Sequence, residues 1–515
     1  MDYRDFCKIT SIIKPSALHN TACVFAKLAH GYCTMALRRA GCKAAWTLTA
    51  ASRRTGTAHS AKALPRAMRA LSSATGSMRP SLACAASASP ESEPPRARSR
   101  PRLWSAAVHK PLTRANALVD EALVHLKESP PGQVSPVLWD VCIDAVAAIH
   151  SAPSKQLVRP QLVFLGGSWD ASVESSFGDA DVPPRGDAGS DGALEDGPVQ
   201  RALEKFAAGL ELQHLFMMVH DDVIDNATRR RGLPPVHLAA RVNGRASGIR
   251  QQASYHLATI VGDVLYTQAI KLMHEASCEV GAPEALTTVL SDGVRTGFGQ
   301  FCDIVGWGEL QATGLNGRPA MDAADSILLD KSGRAATCSP LLAGMHLAGA
   351  DSGTMAIAEA WARHAGVALQ AIDDVADLVV EQATTGKDSF QDFRDQRLTV
   401  LLFLLWDRAG HTADWREVTA LWRGLSPTRG SGDYSALLPH ERRSLMHMLE
   451  RHGVIPAAFD FARQHLDAAE EQLQALPDAT LRVGLGRFVH GMRAHATALQ
   501  GIIAEEAEEH GYLPT

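Results

Sequence analysis

From about residue 105 to the C-terminus, apolar side chains recur three and four positions apart. That is the period of a helix with one face turned inward. Leu112, Ala115, Leu118, Val119, Ala122 and Leu126 set the spacing in the first stretch, and Pro130-Pro131-Gly132 breaks it. A second helix is expected over residues 137–150, closed by Pro153. The strongest pattern covers 199–228, where Leu203, Phe206, Leu210, His214, Met217, Asp221 and Asp225 fall on one stripe. A purely structural helix would keep that stripe apolar throughout. Here it turns polar at one end, which implies a polar occupant there. Further helices are expected near 252–276, 284–305, 322–348, 353–382, 395–409, 412–422, 439–450, 456–475 and 480–507. Residues 166–198, rich in Gly, Asp, Ser and Pro, are expected to form a long acidic surface loop. Runs with the period of a strand are rare, and Ala, Leu, Glu, Gln and Arg dominate, so the chain favours helix.

Composition alters this picture at the N-terminus. Residues 1–100 hold sixteen Lys and Arg against four acids, although the whole chain carries a net charge of -5. The first 104 residues are therefore expected to be a basic, acid-poor, disordered extension, and 105–515 the functional domain. Three origins for the extension stay open: an organelle transit peptide, a native basic tail, or a start assigned too early. The expected location is cytoplasmic, or a plastid or mitochondrion if the extension is a transit peptide. The nine cysteines include no C-x-x-C and no zinc spacing, so they read as free thiols. No apolar run approaches the length of a membrane span. Motifs for nucleotide hydrolysis are absent, and no nucleic-acid partner is expected.

The candidate chemistry lies in two acidic turns. Asp221-Asp222-Val223-Ile224-Asp225 ends the strongest helix, and Asp373-Asp374-Val375-Ala376-Asp377 repeats the pattern far downstream. Spacing of i and i+4 puts Asp221 and Asp225 one helical turn apart on one face. Each pair of carboxylates brought to about 4 Å repels by about 4 kcal/mol at an effective dielectric of about 20. Six of them make sense in one site only with cations between them, and Mg²⁺ suits carboxylates combined with a phosphorylated substrate. Basic residues follow closely: Arg229-Arg230-Arg231, Lys331 and Lys387, with Lys155 and Arg159 expected to share a helix face. Lys and Arg are the usual phosphate binders, so two phosphate sites are expected, one bridged by metal and one held by basic side chains.

Taken together, these motifs resemble the trans-isoprenyl diphosphate synthases, the polyprenyl synthetase family. Glu211-Leu212-Gln213-His214, the first acidic turn with Asn226, Arg230-Arg231-Gly232 and Pro235-Val236-His237 match its first aspartate-rich region. Gly262-Asp263, Gln300 with Asp303, Lys331-Ser332-Gly333, Gln370 before the second acidic turn, Gly386-Lys387 and Asp392-Phe393-Arg394 match later landmarks. The resemblance implies an all-α bundle around a deep central cavity, a homodimer, and condensation of isopentenyl diphosphate with an allylic diphosphate (dimethylallyl, geranyl or farnesyl).

By the same resemblance, Asp221, Asp222, Asp225, Asp373, Asp374 and Asp377 hold Mg²⁺, with Mn²⁺ as the alternative. Arg230, Lys331, Ser332, Gln370 and Lys387 contact the allylic substrate. Lys155, Arg159, His214 and Arg231 bind isopentenyl diphosphate. Two departures stand out. The segment Pro153-Ser154-Lys155 to Arg159-Pro160 is one residue longer than the family pattern, so fixing Arg159 puts Gln156 at the lysine's place. The family's later lysine is Arg397 here. Phe216, five residues before Asp221, with Met217 beside it, resembles the short-chain members and implies geranylgeranyl diphosphate as product. Farnesyl or longer-chain synthesis is the alternative, and a non-catalytic subunit of a heteromeric synthase is the reading from another class.

Overall fold

The computed structural model describes residues 109–128, 136–152, 155–168, 197–244, 250–312, 320–379, 390–425 and 437–509. The N-terminal extension, most of the acidic loop and Lys387 lie outside them. Among the described residues the regular elements are helices, and the sole β-bridge joins Arg230 to Leu233. In chain order these are α1 (His109–Glu128), α2 (Pro136–Ser151), α3 (Val158–Gly167), α4 (Pro198–Ile224), α5 (Val236–Gly244), α6 (Gln251–Val280), α7 (Pro283–Ala312) and α8 (Ala320–Leu328). A π-helical segment, π1 (Leu329–Cys338), leads into α9 (Ser339–Leu347) and α10 (Ser352–Ala376). Then come α11 (Gln391–Arg394), α12 (Val400–Ala409), α13 (Ala413–Leu425), α14 (Pro439–Arg451), α15 (Val454–Leu473) and α16 (Ala479–Glu509).

Local chemistry fixes the two helices that matter most. Pro198 opens α4, where a missing N–H costs nothing. At the other end Asn226 adopts a left-handed φ of 50°. The Ala227 N–H then bonds to the Asp222 carbonyl at 2.9 Å and the Asn226 N–H to that of Val223 at 3.4 Å. This is the Schellman pattern, which stops the helix directly after the first acidic turn. In α10, the Asp351 carboxylate accepts from the Thr354 N–H at 3.0 Å as an N-cap. Its far end carries the second acidic turn.

Two apolar cores build the bundle. One surrounds α4 and α6 through Leu203, Phe206, Leu210, Leu265 and Met273. The other surrounds α10, α12, α15 and α16 through Trp361, Phe403, Leu466 and Phe488. Each fully buried Leu or Phe contributes about 1.5–3 kcal/mol. Helices α3 and α9 form the wall between them: Leu162 and Leu341 belong to one core, Val163 and Ala343 to the other. They pack backbone to backbone. A Cβ on Gly166 would meet the Leu341 carbonyl oxygen at 2.2 Å, and one on Gly344 that of Val163 at 2.1 Å. The polar ends of α4 and α10 come together through Gln391.

Most expected helices are present, with three differences. Gly166 and Gly167 belong to α3, so the expected loop begins later. The expected helix 322–348 runs as α8, π1 and α9, with π-helical hydrogen bonding in its middle. Lys155 precedes α3 and does not share a helical face with Arg159, because the helix starts at Val158, with Pro160 in its first turn.

Candidate functional site

The two acidic turns meet through one residue. Gln391, at the start of α11, gives its backbone N–H to Asp377 Oδ1 at 3.3 Å and its side-chain Nε2–H to the Asp225 carbonyl at 3.1 Å. The Asp392 N–H bonds to the other Asp377 oxygen at 3.2 Å. Asp225 pairs with Arg397, whose Nη1 lies 3.5 Å from Asp303 Oδ2. Asp303 in turn accepts from Lys331 Nζ at 3.0 Å and from the Leu398 N–H at 2.9 Å. Asp303, Arg397 and Gln391 were absent from the site expected from sequence, although the first two sit at noted landmarks.

The six aspartates divide by exposure. Asp222 and Asp374 are each 1% exposed. Asp222 Oδ1 accepts from Arg230 Nε at 2.7 Å. Asp374 accepts from Gln370 Nε2 at 2.7 Å and from the Val400 N–H at 2.8 Å. These two carboxylates and Gln370 therefore brace the walls through their hydrogen bonds. Asp377 is engaged by backbone N–H groups in the same way. Asp373 is exposed, and Asp221 and Asp225 are half-buried. Asp221 receives Arg230 Nη2 at 3.1 Å and Gln300 Nε2 at 3.4 Å. Among the described residues, no three carboxylate, imidazole or thiolate groups stand ready at metal-binding spacing.

The electrostatics of this face reflect its crowded carboxylates. Burial, and then the charge of Asp221, push the Asp225 carboxyl up to about 8 against the pull of Arg397. Burial likewise pushes Asp374 up to about 8, with Lys331 opposing and Asp392 adding to the rise. Burial disfavours the charge on Lys331, yet Asp303, Asp392 and Asp374 outweigh it and hold the ammonium above its ordinary range. Crowded oxygen donors of this kind call for a hard cation.

A second face has the opposite sign. Lys155 reaches Asn116 Oδ1 at 2.6 Å, Arg159 Nε reaches the Ala335 carbonyl at 3.1 Å, and Arg231 Nη1 reaches the Ile149 carbonyl at 2.9 Å. Burial pulls Arg159 down to about 10, with Arg231 adding to the fall. It also lowers Lys155 and Arg231, and the positive charge of a neighbouring arginine adds to each fall. His214 falls to about 4, from burial and then Arg159. Glu211 is the buried carboxylate among them; burial opposes its charge, but contacts to His150 and His214 hold it below the usual carboxylate range. Cations buried together in this way, with Glu211 offsetting part of their repulsion, suit an anion.

Two elements join these faces. The turn after α4 has positive φ at both Arg231 (53°) and Gly232 (79°), and Arg230 and Leu233 exchange backbone bonds of 2.8 and 2.9 Å. Such a two-residue reverse turn follows the I′ pattern, which a non-glycine residue adopts only under strain. It directs Arg230 to the acidic face and Arg231 to the basic one. π1 is the other link, presenting Lys331 to the acidic face and the Ala335 carbonyl to the basic one. Ser332 beside it is half-buried. α7 packs hard against π1, for a Cβ on Gly299 would lie 2.4 Å from the Lys331 nitrogen. π-helical turns recur at functional sites.

Below the acidic face, a cleft of about 370 Å³, counting its open mouth, runs from Asp377, Asp392 and Arg397 to Leu401, Leu405, Leu445 and Leu449. It lies beside the second acidic turn. Phe216 is half-buried on the α6 side of α4, its ring 4.6 Å from that of His220 and 4.8 Å from that of Tyr266. Met217 is also half-buried.

Residues 148–419 match the family model described as Polyprenyl synthetase. A short chain isoprenyl diphosphate synthase of Methanothermobacter thermautotrophicus is 25% identical over 279 residues, covering 54% of this chain and 75% of that one. A probable hexaprenyl pyrophosphate synthase of Neurospora crassa is 25% identical over 355 residues, 64% of this chain and 72% of that one. The fold is similar to that of geranylgeranyl pyrophosphate synthase from Corynebacterium glutamicum, solved with isoprenyl diphosphate and magnesium. The TM-score is 0.57 at 20% identity, over 75% of this chain and 98% of the other.

Proposed function

The chain belongs to the polyprenyl synthetase family and is a prenyltransferase, a trans-prenyl diphosphate synthase; from that premise we propose that it condenses isopentenyl diphosphate with an allylic diphosphate to give geranylgeranyl diphosphate. One observation carries the proposal: two adjoining faces of opposite charge, acidic around Asp225 and basic around Arg159, joined by Arg230-Arg231. A divalent cation, Mg²⁺ with Mn²⁺ as its substitute, suits the first face, where Asp221, Asp225 and Asp373 would hold it. It would supply charge neutralisation for a departing allylic diphosphate. Lys331 stands beside the same face as a fixed cation, and Arg230 is locked there by Asp222. The second face suits the diphosphate of isopentenyl diphosphate, held by Lys155, Arg159, Arg231 and His214 without metal. Pre-set charges of this kind act most strongly where water is excluded. Incubation of the chain with isopentenyl diphosphate, each of the three allylic primers and Mg²⁺, followed by product sizing, tests this. Absence of any elongated product overturns the reading, and a product longer than C20 replaces its last term.

Chain length follows from Phe216 in this reading. Its ring fills the space against His220 and Tyr266 one turn beyond the diphosphate end of α4. Phe216→Ala is expected to shift the product distribution to longer chains, seen by chromatography. An unchanged distribution removes Phe216 from that role.

A homodimer belongs to the same proposal. Leu290, Val294, Phe298, Phe301 and Val305 are all exposed, Phe298 and Phe301 at 65% each. Their spacing puts them on one stripe of α7, and a contiguous apolar stripe marks a partner surface. Phe298→Asp combined with Phe301→Asp is expected to convert a dimer to a monomer in light scattering. An unaltered mass places the interface elsewhere.

A further inference from the structure

We propose that His150 is a positioning residue for the homoallylic diphosphate, fixing Glu211 and, through it, the ring of His214 within the basic face. The proposal rests on the reading that this face takes isopentenyl diphosphate.

His150 lies in the last turn of α2 and is 0% exposed. Its Nδ1 lies 3.6 Å from Glu211 Oε1, and its Nε2 lies 3.8 Å from Asp120 Oδ1 on α1. Glu211 turns its other oxygen to His214 Nδ1, again at 3.6 Å. The four groups form one line from Asp120, half-exposed at the surface, to the basic face. These are charge contacts longer than hydrogen bonds, and neither nitrogen of His150, neither oxygen of Glu211, nor His214 Nδ1 has a hydrogen-bond partner among the described residues. Buried polar groups are costly when unpartnered, so these carboxylate–imidazole contacts are what keep the three side chains in place. The same helix end holds Arg231, through the carbonyl of Ile149.

The consequence is confined to one substrate. Glu211 is 2% exposed and attracts Lys155, Arg159 and Arg231 electrostatically. Held back by His150, it orients His214 and leaves the three cations for the diphosphate. Released, it swings toward those cations and competes with the ligand. The acidic face shares no residue with this line and is reached through the Arg230-Arg231 turn and π1.

Steady-state kinetics on the full chain test this, each substrate being varied with the other saturating. His150→Leu is expected to raise the KM for isopentenyl diphosphate about tenfold, the scale of one lost buried polar contact. The allylic KM and kcat stay within about twofold, the signature of an interaction made with one ground-state ligand. His150→Gln, which keeps an N–H toward Glu211, restores most of the loss. Asp120→Asn, at the exposed outer end, raises the same KM by a smaller factor and remains informative should His150→Leu fail to fold. An unchanged homoallylic KM in these variants, or both KM values rising together, overturns the positioning role. A wild-type chain that elongates no allylic primer overturns the underlying reading instead.

Discussion

Asp221→Asn is expected to lower kcat by about 10³-fold, the upper end of what one element of electrostatic stabilisation contributes, with no loss of thermal stability. Asp221 is 38% exposed at its side chain, so little packing depends on it. Its charge raises the Asp225 carboxyl, so removing it relieves repulsion in the folded protein. Arg230 retains its tighter contact to Asp222. What is lost is one of the few accessible carboxylates able to share a cation with a diphosphate. Single-turnover rates under saturating Mg²⁺ and both substrates, beside a melting curve, measure the two effects. A rate within tenfold of wild type would remove Asp221 from the cation's ligands.

Its neighbour should behave in the opposite way. Asp222→Ala is expected to destabilise the fold by about 3–5 kcal/mol, the cost of leaving one member of a buried ion pair behind. Arg230 is 8% exposed and would keep its charge with only the weaker Asp221 contact. Asp222→Asn, which preserves an acceptor oxygen, should cost less. Chemical denaturation of the three proteins ranks them. Equal midpoints for Asp222→Ala and wild type would show that the pair contributes nothing to stability, and with it the division of the aspartates into braces and ligands would fail.

That division marks the limit of what could be read from the chain alone. Periodicity located α4, α6, α15 and α16 to within about four residues, because each buries a long apolar face. Spacing also placed Asp221 and Asp225 one turn apart. Adjacent residues on a helix, however, point about 100° apart, and whether Asp222 faces the protein or the site depends on Arg230 beyond a turn. Asp374 is decided by Val400, and Asp303 by Lys331, Arg397 and Leu398; such long-range partners leave no local signal. The π-helical stretch was hidden as well, since nothing local in the apolar spacing marks it, and it lies where α7 approaches closely at Gly299. The helical face expected for Lys155 and Arg159 failed because α3 begins only at Val158. Both residues nevertheless reach the basic face, Arg159 from the first turn of α3 and Lys155 from just before it.

The reverse bend at Arg231-Gly232 has one more implication. Both guanidinium arms hang from the same pivot, so a backbone change there cannot retune one grip and spare the other. If Arg230 and Arg231 grip the two substrates as proposed, altered discrimination between them arises at outlying positions, while a replacement of Gly232 would loosen both grips in a single stroke.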